Sequence, residues 1–221
     1  YNLMGNMKHI YNTVAGEISL NTDRNREFLD NILSFACREN PKRHFIIINK
    51  LIGRYTPTAP TVMRQTYEQL ADEIGVGGSS YVVSLAEAAT GLGAGVADSL
   101  SRRQKNVYFQ HTTRQQVNEE LWFSIDEKHS HAVSHLFYKP SKELLASIIK
   151  SKRLIIVDDE ITTGRSIKKL LGKLMENLPD LEEIIVTSIV NLGGLKNQLK
   201  ESEIGLPVRY VSFINADLSI K

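Results

Sequence analysis

Cysteine is almost absent from this 221-residue chain: Cys37 stands alone, so no internal disulfide can form and a reducing compartment is expected. No apolar run approaches the ~20 residues that cross a bilayer, and the N-terminus lacks the basic, apolar and small-residue zones of a signal peptide. A cytoplasmic protein with no membrane partner is expected. Charge of one sign is missing too. The chain has 27 Lys and Arg against 25 Asp and Glu, so bulk charge offers nucleic acid nothing to hold and none is expected as a partner. The glycines fail the dinucleotide fingerprint, no glycine-lysine P-loop occurs, and no repeat or low-complexity segment is found. Because it begins at Tyr1 rather than Met, the chain reads as a fragment or as one that has lost leading residues.

What is present is concentrated in residues 153–166. Leu154 to Val157 is a short Ile/Val-rich run, expected to be a strand buried on both faces, and it stops at Asp158 and Asp159. Thr162-Thr163-Gly164-Arg165-Ser166 follows, and then Ile167, Leu170, Leu171, Leu174, Met175 and Leu178 repeat at helical spacing. Such a turn aims backbone N–H groups and hydroxyls at one anion, and a helix N-terminus favours a phosphate there. The acidic pair would repel that phosphate unless the same ligand also offers sugar hydroxyls or a hydrated metal. A phosphorylated ribose does so.

The rest of the chain alternates strands and helices. Residues 1–20 read as irregular or hood structure. Phe28 to Ala36 reads as a helix that carries Cys37 on its apolar side and stops at Asn40-Pro41. Strands are expected at His44–Ile48, Tyr81–Leu85, Val107–Gln110, Leu154–Val157, Glu183–Asn191 and Pro207–Ile214, with a further short one at Leu121–Ile125. Helices are expected after Pro60 to Ile74, near Ala94–Leu100, from Ser141 to Ile149, after Ser166, and near Leu195–Ser202. This order predicts an α/β fold, a parallel five-stranded sheet with helices on both faces and a small hood. One domain spans 1–221, with 1–40 and part of the C-terminus as hood and 41–192 as core. Ligands of such sheets sit beyond the strands' carboxyl ends, which gathers the loops 49–54, 87–95, 111–114 and 158–166 on one edge.

Each loop has its own chemistry. In Asn49-Lys50-Leu51-Ile52-Gly53-Arg54 two cations flank a glycine, where backbone and fixed charge could hold a second anion or simply form a solvated basic turn. Glu87 ends a strand beside a glycine-rich turn with Thr90, Gly91 and Gly93; it either reads an acceptor's amine or hydroxyl or caps a helix. Arg114 follows the third of the expected strands and is either a ligand group or an exposed arginine. His129, His131 and His135, near Glu127, could converge on a transition metal, act on substrate as acid/base or hydrogen-bonding groups, or be an ordinary loop.

The run from Leu154 through Asp158-Asp159 to Thr162-Thr163-Gly164 resembles the donor-binding signature of the type I phosphoribosyltransferases. Further residues narrow the likeness. Asn40-Pro41-Lys42-Arg43, Gly53-Arg54, Ala86 to Gly93, His111-Thr112-Thr113-Arg114 and His129-Ser130-His131-Ala132 are similar to an orotate-phosphoribosyltransferase-like bacterial subgroup associated with tellurium-resistance and stress operons, over about Asn40 to Asn191. Asn49 stands where that family tends to have serine, and Arg54 where it tends to have lysine.

The resemblance implies transfer of ribose 5-phosphate from 5-phosphoribosyl 1-pyrophosphate to a base-like nitrogen acceptor, with Mg²⁺ bridging pyrophosphate and ribose and no direct protein metal site. It assigns donor binding to Asp158, Asp159, Glu160, Ile161, Thr162, Thr163, Gly164, Arg165 and Ser166, the pyrophosphate loop to Asn49 through Arg54, and the acceptor side to Glu87, Thr90, Gly91 and Gly93. Arg114 and the three histidines are the expected catalytic groups, and a homodimer is one expected assembly. A non-catalytic sensor of the same donor and a histidine-dependent metalloenzyme are the alternatives.

Overall fold

A computed structural model of the chain describes residues 6–14, 16–37, 39, 44–125, 134–193 and 198–220. Its centre is a five-stranded parallel sheet. The chain enters it at β5 (Ser80–Ser84), continues through β6 (Val107–His111), β9 (Arg153–Ile161) and β10 (Glu183–Asn191), and ends at β11 (Val208–Asn215), in the spatial order β11-β10-β9-β5-β6. Period-2 alternation of apolar side chains splits the strands between two cores. Val82, Ile155, Val157 and Ile185 face α2 (Pro60–Ile74) and α3 (Thr90–Ser101), whereas Tyr81, Val83, Leu154, Ile156 and Ile184 face α5 (Arg165–Met175). Every one of these strand residues is fully buried, so each contributes about 1.5–3 kcal/mol of apolar burial. Tyr81 in that interior has its phenol pKa driven upward by burial.

The expected fold class is found, but the fifth strand is a different one. His44–Ile48 does form a strand, β4 (Phe45–Asn49), yet it pairs antiparallel with β3 (Leu33–Cys37) outside the main sheet. Its place is taken by β11, so the sheet extends past residue 192 into the C-terminal segment. Strand β3 also corrects the helix expected to Ala36. The helix α1 (Arg26–Ile32), capped by the Asn25 side chain, ends after seven residues. Leu33-Ser34-Phe35-Ala36-Cys37 suits a period of 2 as well as one of 3.6, and pairing from Leu33↔Asn49 to Cys37↔Phe45 decides between them. Cys37 is therefore an exposed strand-end thiol rather than a core residue.

The N-terminal segment, read as irregular or hood structure, forms strands among its described residues. Strands β1 (Met7–Thr13) and β2 (Gly16–Thr22) form a hairpin, and β12 (Asp217–Ile220) adds to its second strand. The Ser19 and Ser219 hydroxyls meet at 2.7 Å, and the Thr22 hydroxyl donates to the Asn215 carbonyl at 2.7 Å. The two ends of the chain thus build one small sheet. A second hairpin, β7 (Leu121–Ile125) with β8 (His135–Tyr138), covers the α5 face and stacks Phe123 on Phe137 at 4.9 Å. Strand β8 was not expected; it begins at His135, the last residue of the histidine-rich stretch.

The remaining corrections are local. Strand β9 does not stop at Asp158 but continues to Ile161, because Ser188 and Val190 of β10 go on pairing with Asp158 and Glu160. The glycines expected in a turn lie inside α3. A Cβ at Gly93 would come 2.5 Å from the Ser84 Cβ, and one at Gly95 would overlap the Tyr67 ring. Both glycines therefore exist for close packing of α3 on β5 and α2. Helix α5 ends at Met175, with Leu178 buried beyond it. The helix expected near Leu195–Ser202 is α6 (Glu201–Ile204) among the described residues, while Leu195 itself lies outside them.

The amino edge of the sheet is closed by two arginines. Arg153, buried in β9, donates to the carbonyls of Gly75 (3.1 Å) and Ile74 (3.2 Å), and Arg209 donates to those of Ile74 (2.8 Å) and Glu73 (2.9 Å). These are carbonyls that the end of α2 leaves without helical partners. Glu183 sits 3.3 Å from both Nε atoms, as an ion pair without hydrogen-bond geometry at Arg153. Arg153→Met keeps the bulk and removes the donors, so it should lower unfolding stability by about 3 kcal/mol. Denaturant titration measures this, and an unchanged midpoint would show that other donors serve these carbonyls.

Candidate functional site

At the carboxyl edge of β9 the apolar run gives way to Asp158, Asp159 and Glu160, all half-buried because the strand keeps its neighbours to Ile161. The backbone N–H of Asp159 donates to Asp158 Oδ1 at 2.9 Å. Burial, then the charge of Asp159 and its side-chain hydrogen bond, and more weakly Glu160, push the Asp158 carboxyl well above the usual range. An approaching cation or a pair of hydroxyl donors would favour the charged form of Asp158 and draw that pKa back down.

The chain then turns through Thr162 and Thr163 to Gly164, whose φ of 64° is left-handed and favours glycine, and enters α5 with no side chain capping its N-terminus. Thr162 and Ser166 line the same cavity as the acidic residues, about 330 Å³ in volume. The opposite wall comes from Ile46 and Ile47 of β4 and from the loop after it, where Arg54 lies 4.9 Å over the Tyr55 ring. Leu85, Ala86, Arg114 and His135 complete the lining. Carboxylates, an uncapped helix end and two guanidinium groups thus face one space. It can hold a ligand with anionic ends and a hydroxylated middle.

Several expected residues stand elsewhere. Lys50 donates from Nζ to the Asp30 carbonyl at 2.6 Å and does not line the cavity. Asn49 is buried, its Oδ1 accepting from Leu51 N–H at 2.9 Å, and Leu51 and Ile52 pack on the core; Gly53 (φ 67°) makes the turn. Glu87 is exposed and its carbonyl starts α3 by accepting from Thr90 N–H, so its backbone takes the capping role; the Ala86–Glu87 peptide before it is cis. Thr90 is half-buried in the first turn of α3, Gly91 faces open space, and Gly93 faces Ser84, so none of the three lines the cavity. Ile161 is buried in the second core, and Thr163 and Arg165 are exposed. His129 and His131 lie outside the described residues, as do Asn40 to Arg43. His135 is instead a buried residue of β8.

Sequence reasoning missed Tyr55 and Thr112. Tyr55 adjoins Arg54, and an exposed aromatic beside a loop cation was the available signal. Thr112, fully buried, accepts from Ala86 N–H at 2.8 Å and lies 2.9 Å from His135 Nδ1; its place between His111 and Arg114 was the only hint.

A family model described as phosphoribosyl transferase matches residues 32–217. Among solved structures, adenine phosphoribosyltransferase from Saccharomyces cerevisiae, complexed with adenine and an imino-altritol bisphosphate, is 21% identical with a TM-score of 0.55 over 82% of this chain and 95% of that one. The adenine enzyme from Trypanosoma brucei, in complex with AMP, pyrophosphate and ribose-5-phosphate, is 16% identical with a TM-score of 0.59 over 85% and 78%. That from Leishmania donovani is 12% identical with a TM-score of 0.55 over 84% and 78%. At these identities the likeness establishes the fold. No curated protein matches the sequence.

The carboxyl cluster has a consequence for stability. Because the folded protein raises the Asp158 pKa, the native state binds a proton that the unfolded chain gives up earlier. Stability therefore falls as pH rises from the ordinary carboxylate value, about 4, towards the folded one. Asp158→Asn should melt at the same temperature as wild type at the acid end and above it near neutrality. Parallel melting curves at every pH would show that the cluster costs nothing.

Proposed function

Since the chain belongs to the phosphoribosyl transferase family, we propose that it transfers ribose 5-phosphate from 5-phosphoribosyl 1-pyrophosphate to a base-like nitrogen nucleophile. The observation that carries this is the meeting, in one cavity, of Asp158 and Asp159 with the uncapped start of α5 and with Arg54 and Arg114. Asp158 and Asp159 hold the ribose hydroxyls. Thr162, Ser166 and the first N–H groups of α5 hold the 5-phosphate. Arg54, and Arg114 closing from the β6 side, face the pyrophosphate, a role that Lys50, committed to Asp30, does not share.

In the reaction the anomeric carbon loses its oxygen bond to pyrophosphate and gains one to the acceptor nitrogen, which gives up a proton. The sugar passes through an oxocarbenium-like state, so the residues act by positioning, by neutralising the leaving group and by excluding water. Mg²⁺, bound with the donor, supplies charge neutralisation on the pyrophosphate. It fits this cavity because burial, and then the charge of Asp159, push the Asp158 carboxyl well above its usual range, a shift that a nearby cation would oppose. In this reading the ion is held mainly through the donor.

The likeness of Ala86 to Gly93 and of His111 to Arg114 supports placement in the orotate-like, tellurium-resistance-associated subgroup. A lone exposed Cys37 supports a cytoplasmic setting, and no described helix is long and apolar enough to cross a membrane. We further propose a homodimer as the assembly, and His129 and His131 as acid/base groups because a histidine side chain ordinarily titrates near neutrality. The polar groups collected at the cavity favour an enzyme over a sensor of the donor.

The decisive experiment mixes the protein, the ribosyl donor and Mg²⁺ with a panel of nitrogen bases and follows pyrophosphate release. Release that depends on one base class supports transfer, and donor binding without release for any base would make the protein a sensor. Replacing Asp158 and Asp159 together by Asn should weaken donor binding at least 10- to 100-fold, the worth of one charge-assisted hydrogen bond of about 1.5–3 kcal/mol; undiminished affinity by calorimetry would refute the ribose assignment. Arg54→Ala should weaken pyrophosphate binding about 10-fold and ribose 5-phosphate binding far less, whereas Lys50→Ala should change neither. Equal losses for both ligands in Arg54→Ala would place that side chain elsewhere.

A further inference from the structure

Thr112, His135 and Arg114 form a connected chain of polar groups beside the cavity, and its proton positions can be deduced. His135 Nε2 lies 3.1 Å from Arg114 Nη2, and His135 Nδ1 lies 2.9 Å from Thr112 Oγ1. A guanidinium can only donate, so Nε2 must accept. A neutral imidazole with an accepting Nε2 carries its proton on Nδ1, which then donates to Thr112 Oγ1. That oxygen already receives the Ala86 N–H at 2.8 Å, so its two lone pairs are both used. Neither His135, 3% exposed, nor Thr112, 0% exposed, has bulk water as an alternative partner.

We infer that Thr112 is a positioning residue: it holds the His135 ring by Nδ1–H, so that Nε2 faces and orients the Arg114 guanidinium at the ligand cavity. The backbone supports the arrangement, because Thr113 and Leu136 exchange hydrogen bonds at 2.9 and 2.7 Å and pin the residues on either side of the contact. Through its second lone pair Thr112 also holds Ala86, which lines the cavity from the turn after β5. One buried hydroxyl therefore sets the relative placement of two cavity walls, the turn after β5 and strand β8. The same geometry leaves His135 no unshared lone pair towards the cavity, so it acts through Arg114 rather than by taking a proton itself. This deepens the proposed transfer reaction and rests on it for the role of Arg114 at pyrophosphate.

The test has a part that does not depend on that reaction. Nitrogen-15 NMR of the His135 ring in the full, unliganded chain should show the Nδ1–H tautomer, and an Nε2–H tautomer would overturn the inference whatever the protein catalyses. Thr112→Val keeps the shape and removes the acceptor. The His135 signals should then depart from the pure Nδ1–H pattern, and pyrophosphate binding with Mg²⁺ should weaken about 10-fold while ribose 5-phosphate binding stays within about twofold. Thr112→Ser should restore both. Equal losses for the two ligands, or none for pyrophosphate, would reduce Thr112 to a packing residue. Should Thr112→Val not fold, Thr112→Ala, which leaves room for a water, is read by the same outcomes. If the wild-type chain binds neither ligand, the transfer reading fails while the tautomer is still decided by the spectrum.

Discussion

Strand β9 is paired along its length, with β10 from Arg153 to Ile161 and with β5 from Arg153 to Val157, and the positions of the functional groups follow from that. A strand hydrogen-bonded on both sides has no freedom to tilt, so the residue after Val157 emerges in a fixed direction. The β5 partner ends sooner than the β10 partner. Asp158, Asp159 and Glu160 thus remain strand residues on one side while the other side opens into the cavity. A carboxylate placed there is neither fully solvated nor buried among apolar groups, which is what a reversible ligand contact requires.

The same pairing imposes a cost. Successive acidic residues on one strand place like charges close together in a partly buried setting, and burial together with the Asp159 charge raises the Asp158 pKa well above the usual carboxylate range. The loss is offset by the remainder of the sheet, whose two apolar cores are independent of the carboxyl edge, and by the Arg153–Arg209 closure at the opposite end. Stability and ligand chemistry are thereby separated along the strand axis. The amino edge pairs the terminal carbonyls of α2 with two arginines, whereas the carboxyl edge keeps an uncapped helix and a repulsive cluster that a ligand can relieve.

Legibility in the sequence followed the same division. The strand, acidic pair, hydroxyl turn and helix from 153 to 175 could be read because local pattern and tertiary role agree there: a doubly buried strand is continuously apolar, and its end is marked by charge. Leu33 to Cys37 could not, since five residues fit two periods and only the partner strand β4 chooses. Nor could the substitution of β11 for β4 in the sheet, because period and composition identify a strand without naming its neighbour. Gly93 and Gly95 looked like a ligand loop because glycine serves close approach to a backbone or to a ring equally well, and here the partners are Ser84 and Tyr67. His135 had the signature of a loop histidine until the hairpin register put it opposite Ile125.

Lys50 shows how one sequence pattern fits two roles. A lysine before a glycine at a strand end suggests an anion ligand, yet the network that claims it begins at Tyr11. Tyr11 in β1 donates to Asp30 at 3.1 Å, and its phenol is pushed up to about 12 by burial and then by that hydrogen bond, so it remains a donor at any ordinary pH. Arg26 shares its one Nε–H between both oxygens of the same carboxylate, lies 3.8 Å over the Tyr11 ring and reaches the Ile10 carbonyl at 2.8 Å. Asp30 is thereby fixed by its side chain, and its carbonyl becomes a stationary acceptor for Lys50 Nζ. Each contact is exposed and worth little alone, but together they tie the terminal sheet and α1 to the loop that carries Arg54 and Tyr55. The first loop's two cations thus divide the work that sequence reading gave to both: Lys50 anchors the loop from behind, and Arg54 faces the cavity.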